Sequence, residues 1–311
     1  MTRVGDLAQH KLVRNLILDT QSRIADRQLE IASLQKSQDY AGISSDSHRL
    51  VTLEVYERRM DQFLTDNTFL DLRMSTMLDG IDALKTTITD VRGLMRDILD
   101  DGQLASGINK DELADIKASE VEDFLNLQVN GRYLFGGSKT NVRPVVPGSM
   151  SSAPTFDSSN LTQAEPAFYY KGDDTILKAR IDEGVVIEYG VTAAGPAYEK
   201  LIRGVRILRS TDVTGADANY IAKIQGALDL INESEIALQE NELTVGAKVR
   251  QVSMTNNTIQ SSKNFAQTMI ADIENANTFE AVAALTQDQT MLEASYNVVV
   301  RLSKLSLNNF L

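Results

Sequence analysis

The chain has 311 residues, of which 42% are hydrophobic and 24% charged, and its formal net charge is −12. Such an acidic protein is repelled by phosphate backbones, so we expect no nucleic-acid partner. The complete lack of cysteine excludes disulfides, thiol catalysis and Cys-ligated metals.

The first predicted element is a helix over residues 5–38. Its apolar residues, including Val13, Ile17 and Ile24, fall near one helical face. A polar stretch at residues 39–46, with a glycine and cap-forming Ser and Asp, predicts the break that follows. Charged residues interrupt the N-terminal stretch, so we expect no cleavable signal peptide. No apolar run in the sequence approaches the ~20 residues of a membrane span, and we expect none.

The dominant pattern is a heptad repeat over residues 53–98. One seam column contains Leu53, Met60, Met74, Ile81, Ile88 and Met95. The pattern predicts a helix about 70 Å long that packs lengthwise against another helix. We therefore expect an elongated, rod-like protein. Asn67 is the polar exception in the seam. It either sets the helix register or lies exposed near a bend.

A shorter helix is predicted next. Residues 101–107 form the preceding turn, and Asn109 with Glu112 three residues later resembles a capping box. We expect this helix to end near Asn130–Gly131.

The middle of the chain differs in kind. All five prolines lie between residues 144 and 196, and proline is excluded from helix interiors. Residues 176–181 and 185–191 are rich in β-branched and aromatic side chains, with plausible hairpin turns at 172–174 and 182–184. The sequence therefore predicts a small β-rich domain over residues 145–203.

Helical periodicity returns after residue 203. A clean seam contains Ile224, Ile231, Leu238, Val245 and Val252. We expect this helix to fold back antiparallel on the first heptad helix and a last helix to run from Thr278 to about Phe310. The predicted segments are an N-terminal helix (1–45), the first half of a helical rod (46–144), the β-rich outer domain (145–203), the second half of the rod (204–273) and a C-terminal helix (274–311).

The residues after Leu127 carry a family resemblance. The run NGRYLFGGSKTNVRP, Asn130 to Pro144, resembles the NGxYLFGGxK…P signature of the flagellin superfamily, most closely in its hook-associated proteins of type 3. The turn residues of the signature are Gly131, Tyr133, Phe135, Gly136 and Gly137. Residues 169–184 are similar to the YxGD…IxxG pattern of those proteins' outer domain, and residues 306–311 resemble their apolar tail. The connector at residues 42–47 departs from the family in lacking the second Asp and the Pro of its double-Asp-Pro.

The resemblance implies a mostly α, flagellin-like coiled-coil rod with an outer β-rich domain. It also implies a structural subunit of the bacterial flagellum, exported by the flagellar type III apparatus with a chaperone and located outside the cell. Such subunits form a homo-oligomeric ring between a hook-associated protein of type 1 and flagellin. Their terminal helices order on assembly, because a helix without a partner in its own chain cannot bury its apolar face. The expected interface residues are Val13, Ile17, Ile24, Leu285, Leu292, Tyr296, Val299, Leu302, Leu305 and Phe310.

Three alternatives stay open. The chain could be a flagellin that forms the filament itself, an unrelated coiled-coil adaptor that folds fully as a dimer, or an enzyme with its site in the middle domain. For the enzyme, His10 and His48 lack the spacing of a zinc site, and residues 136–140 lack the order GxxxxGK[ST] of a phosphate-binding loop. We therefore expect no catalytic residues, no metal and no cofactor.

Overall fold

The structure, a computed structural model, describes residues 2–101, 109–146, 169–214 and 217–308, and of residues 2–10, 101 and 302–308 it describes the backbone alone. The elements in chain order are α1 (Thr2–Ser33), α2 (Ser47–Asp101), α3 (Lys110–Leu125), β1 (Gln128–Val129), β2 (Arg132–Tyr133), β3 (Leu177–Asp182), β4 (Val185–Tyr189), α4 (Pro196–Ser210), α5 (Tyr220–Glu274) and α6 (Thr278–Asn308). The predicted class, mostly α with short antiparallel strands, is confirmed. The turn predicted after α2 lies outside the described residues.

The chain forms two compact units. The terminal unit combines Met1–Met60 with Ser261–Leu311, and the central unit is Asp61–Gln260. Helices α2 and α5 each contribute residues to both units. The five predicted segments do not nest within this division, because segments 46–144 and 204–273 each extend across a unit boundary. They stay a prediction.

Helices α2 and α5 run antiparallel in the central unit. Asn67 of α2 donates to Asn256 of α5 at 2.7 Å, and Lys85 pairs with Glu242 at 2.9 Å. Residues with higher numbers on α2 therefore contact residues with lower numbers on α5, which defines the antiparallel arrangement. Between the helices, the heptad seam is closed. In the central unit its residues are at most 1% exposed at Met74, Ile81, Ile88, Met95, Ile224, Ile231, Leu238, Val245 and Val252. In the terminal unit, Met60 of the same column is 2% exposed and Leu53 is half-buried.

Helix α1 ends earlier than predicted, at Ser33 instead of residue 38. Leu34 adopts φ +59 and begins a connector that pairs with the residues between α5 and α6. The amide of Lys36 donates to Glu274 O at 2.7 Å, and the amide of Ala276 donates to Leu34 O at 2.9 Å. Because the backbone groups of these residues bond across the two connectors, they are not available to continue the helix.

The prediction that α3 reaches Asn130–Gly131 is wrong. Helix α3 begins as predicted, with the side chain of Asn109 accepting from the amides of residues 111 and 112, but it ends at Leu125. Asn130 (φ +53) and Gly131 (φ +73) form the turn of the β1–β2 hairpin. Asn-Gly suits a two-residue hairpin turn because both residues tolerate positive φ, and this turn chemistry overrides the helical periodicity.

The hairpin predicted at residues 176–191 is confirmed as β3–β4, with Gly184 at φ +80 in its turn. Residues 172–174 join no strands. The amide of Asp173 donates instead to Gly136 O at 3.2 Å. Helix α4 begins inside the segment predicted to be β-rich. Its first turn contains Pro196, where a missing N–H costs no helical hydrogen bond.

Candidate assembly surface and signature turn

Helices α1 and α6 pack against each other in the terminal unit. Gln21 Nε2 donates to the Tyr296 hydroxyl at 2.9 Å, and Arg23 Nε donates to the Asp288 carboxylate at 3.1 Å. The expectation that each terminal helix lacks a partner within its own chain is therefore wrong. Whether the helices become ordered only on assembly stays a prediction.

Six of the predicted interface residues form the inner stripe of this helix pair. These half-buried residues are Val13, Ile17, Ile24, Leu285, Leu292 and Val299. Tyr296 is 45% exposed despite its hydrogen bond. The side chains of Leu302, Leu305 and Phe310 lie outside the described residues. The role of all these residues in contacts between subunits stays a prediction.

A second apolar face, on α1, was missed in the sequence. Leu18 and Leu29 of α1 are 56% and 52% exposed. With Ser22, Ala25 and Ala32 they are spaced by four and three residues, on the side of α1 opposite the inner stripe. Among the described side chains of α6, the exposed apolar residues are Phe279, Val282, Met291, Tyr296, Val298 and Val300, and they do not share one face. The face on α1 could have been predicted from the sequence. Small and apolar residues spaced three and four apart identify it, separately from the residues of the inner stripe.

The signature residues pack against the helices of the central unit. Phe135 is buried, and its ring meets that of Tyr198 edge-on, with 5.7 Å between centroids. Gly80 of α2 makes room for Leu127, since a Cβ there would lie 2.9 Å from Leu127 Cδ1, whereas the Phe135 ring would be at an ordinary contact distance of 3.6 Å. Tyr133 is half-buried in β2. Through these contacts, the chain segment after α3 packs against α2 and α4.

Asp173 connects the two motifs that carry the family resemblance. Its carboxylate accepts from the Ser138 amide at 2.8 Å and from the Ser138 hydroxyl. The Ser138 hydroxyl, and then its amide, lower the pKa of Asp173 to about 2. Gly137 has φ +67, and a Cβ there would overlap the Asp173 carbonyl, so only glycine fits. Because the Ser138 amide is bound to Asp173, it is not free to hold a phosphate.

The β3–β4 hairpin is attached to α2 at three places. Asn67 donates to Ile181 O at 2.9 Å. The Arg73 guanidinium lies 5.9 Å from the centre of the Tyr189 ring, and that of Arg180 lies 5.6 Å from the centre of the Phe63 ring. Of the two interpretations of Asn67, exposure near a bend is wrong, because its side chain is buried between α2, α5 and the hairpin.

Two further kinds of site were sought in the described part of the chain. Within it, no group of three or more His, Cys, Asp or Glu side chains could hold a metal ion. None of its helices combines the length and the apolar character needed to cross a membrane.

Comparison with solved structures relates this architecture to known proteins. The structure of a putative flagellar hook-associated protein from Vibrio parahaemolyticus aligns with a TM-score of 0.57 and 16% identity, over 76% of this chain and 99% of that one. The chain shares the fold of that protein. The crystal structure of FlgL from Bacillus cereus aligns with a TM-score of 0.49 and 10% identity, over 67% of this chain and 98% of that one. No protein-family model and no curated protein matches the sequence. The alignment with the Vibrio protein thus confirms the fold that the resemblance implied.

Proposed function

We propose that the chain is a structural subunit of the bacterial flagellum that forms the hook–filament junction. In this role a ring of identical copies joins a hook-associated protein of type 1 to flagellin, and no copy performs catalysis. The subunit is secreted through the flagellar export apparatus with the help of a chaperone. The fold shared with a flagellar hook-associated protein supports this proposal, as does the signature turn.

Incomplete burial of the terminal helices is the observation that carries the assembly role. The α2–α5 seam residues named above for the central unit are at most 1% exposed, whereas the larger aliphatic residues of the α1–α6 seam, such as Ile24 and Leu292, are only half-buried. Two helices alone leave the edges of their seam open to water, and further helices close it. Burying an exposed leucine such as Leu18 or Leu29 would contribute about 1–2 kcal/mol. We propose that the terminal helices of neighbouring copies supply this cover.

Deletion of the gene in the source bacterium tests the junction role. We expect complete hooks, no filaments, and flagellin released as monomers into the medium, since nothing joins it to the hook. Re-expression of the unaltered chain should restore filaments. A flagellin would behave differently, because its loss leaves hooks that still bear their junction proteins and releases no flagellin. Normal filaments after deletion would indicate an adaptor outside the flagellum.

Limited proteolysis of the purified chain separates assembly from a self-contained adaptor. If the terminal helices order fully only on assembly, trypsin should cleave first at Arg14, Arg27 and Arg301, at the two ends of the chain. Arg73 and Arg92 of the central unit serve as internal controls and should be cleaved much later. A chain that keeps both ends intact until the central unit is cleaved would contradict the assembly proposal.

A further inference from the structure

A polar layer interrupts the apolar seam between α1 and α6. Thr20, Asp288 and Ser295 are all buried at positions of the inner stripe. The Thr20 hydroxyl donates to Leu16 O at 2.8 Å, and the Ser295 hydroxyl donates to Met291 O at 2.8 Å. Each hydroxyl therefore has a hydrogen-bond acceptor within its own helix. It does not need a polar group on the helix that packs against it.

Asp288 is bound across the seam. The side chain is 13% exposed, and Arg23 Nε donates to its carboxylate at 3.1 Å. The same guanidinium is held from its own helix, by Asp19 at 2.5 Å and by the Thr20 hydroxyl at 3.1 Å. These contacts within α1 restrict the rotamers of the Arg23 side chain whether or not α6 is bound. The Arg23 side chain therefore loses little conformational entropy when it binds Asp288.

The cation that Asp288 binds comes from the other helix. On α6, no Lys or Arg lies within four residues of Asp288. On α1, Arg23 and Arg27 are also paired with the acids Asp19 and Glu30 of their own helix. The hydrogen bond to Glu30 is the main reason that the pKa of Arg27 is raised, and Asp288 and Glu280 of α6 add to this effect. At this level α6 therefore depends on α1 for a cation, whereas α1 carries acids of its own.

We infer that the Arg23–Asp288 pair restricts α6 to an α1 helix as its partner and fixes the register of the two. Pairing of α6 with another α6 would bury Asp288 without a cation, which is strongly unfavourable. A slip of one heptad would move Asp288 away from Arg23, to the level of Leu16 or of Glu30. The α6 helix of a second copy can therefore pair only with an α1 helix. The inference holds for any assembly built on these helices, so it does not depend on the flagellar role.

Site-specific crosslinking of the full chain tests this inference. The chain contains no cysteine, so Gln21→Cys and Tyr296→Cys introduce a single reactive pair at a contact between the helices. A short bis-maleimide should join them readily. Adding Asp288→Arg should slow the crosslinking about tenfold or more, because a charged hydrogen bond is replaced by repulsion. Exchanging the charges, with Arg23→Asp and Asp288→Arg together, should restore most of the rate.

Control variants separate this effect from a general loss of structure. Lys178→Glu disrupts an exposed ion pair with Glu188 in the central unit and should leave the crosslinking rate unchanged. A chain with Tyr296→Cys alone should form no crosslinked dimer, since that product requires α6 against α6. Circular dichroism of each variant shows whether its helices persist. An unchanged rate in Asp288→Arg, failure of the charge exchange to restore the rate, or abundant dimers linked through residue 296 would each overturn the inference.

Discussion

Replacement of Asn67 should loosen the β3–β4 hairpin from α2. The side chain is 1% exposed, and its amide donates to Ile181 O at 2.9 Å and to Asn256 Oδ1 at 2.7 Å. In Asn67→Ala both acceptors lose this donor. A net hydrogen bond contributes about 1 kcal/mol, and a buried acceptor left without a donor costs about 1–3 kcal/mol. We therefore expect the local stability of the hairpin to fall by about 2–4 kcal/mol.

Amide hydrogen exchange of β3 and β4 is the appropriate measurement. The chain has two compact units, so a single two-state unfolding transition is not expected. Exchange reports on the local opening of the hairpin, and the expected loss corresponds to an increase of roughly 30- to 900-fold in its open population. A double-mutant cycle with Asn256→Ala should give a coupling free energy of about 1 kcal/mol.

Thr65→Ala is a matched control on the same helix. Thr65 is exposed, and its hydroxyl donates to Asp61 O within α2, so its loss should change local stability by less than about 0.5 kcal/mol. If Asn67→Ala and Thr65→Ala show the same hairpin exchange, then Asn67 does not attach the hairpin to α2, and this account of the polar seam residue is refuted.

Three further predictions concern the signature turn and the outer face of α1. Gly137→Ala should lower stability by about 2 kcal/mol or more, because both its positive φ and the space beside Asp173 exclude a Cβ, whereas Gly131→Ala, with positive φ but open space, should cost about 1 kcal/mol; equal losses in thermal unfolding would contradict this. The pKa of Asp173 is lowered to about 2, so its contribution to stability should be complete above the unfolded value of about 3.9 and should be lost as the pH falls towards 2. Asp173→Asn should remove that part of the pH dependence of the melting temperature. Leu29→Asp should prevent self-assembly in sedimentation experiments while leaving the helix content of the monomer unchanged. The adjacent exposed variant Gln28→Asp should still assemble.

The two long helices could be predicted from the sequence because a heptad repeat reports directly on a buried helical face. The repeat around Met74 and Ile231 predicts both the helices and their packing, and an antiparallel return is the simplest connection between them. The hairpin turn at Gly184 was equally accessible, since turn residues separate two β-rich runs. The end of α3 was not predicted. The Asn-Gly signal at Asn130 competed with an apparent continuation of the helix, and the turn chemistry prevailed.

The partner of each helical face could not be derived from the sequence. Periodicity shows which side of α1 is apolar but not what covers it, and the α1–α6 pairing follows from contacts that join residues far apart in the chain. The ion pair between Arg23 and Asp288 illustrates the reason. To predict that two charged residues pair across a seam, one must know the register of the two helices. That register is defined only in the folded chain. Asn67 poses the same problem, since its acceptors lie on two other elements.

Localisation of the protein on purified hook–basal bodies tests the central claim most directly. Antibody against the chain, viewed by electron microscopy on hooks with attached filaments, should label a narrow band at the distal end of the hook, because a junction subunit occupies only that position. Labelling along the whole filament would show that the chain is the filament subunit. Labelling neither at the junction nor along the filament would contradict a structural role in the flagellum.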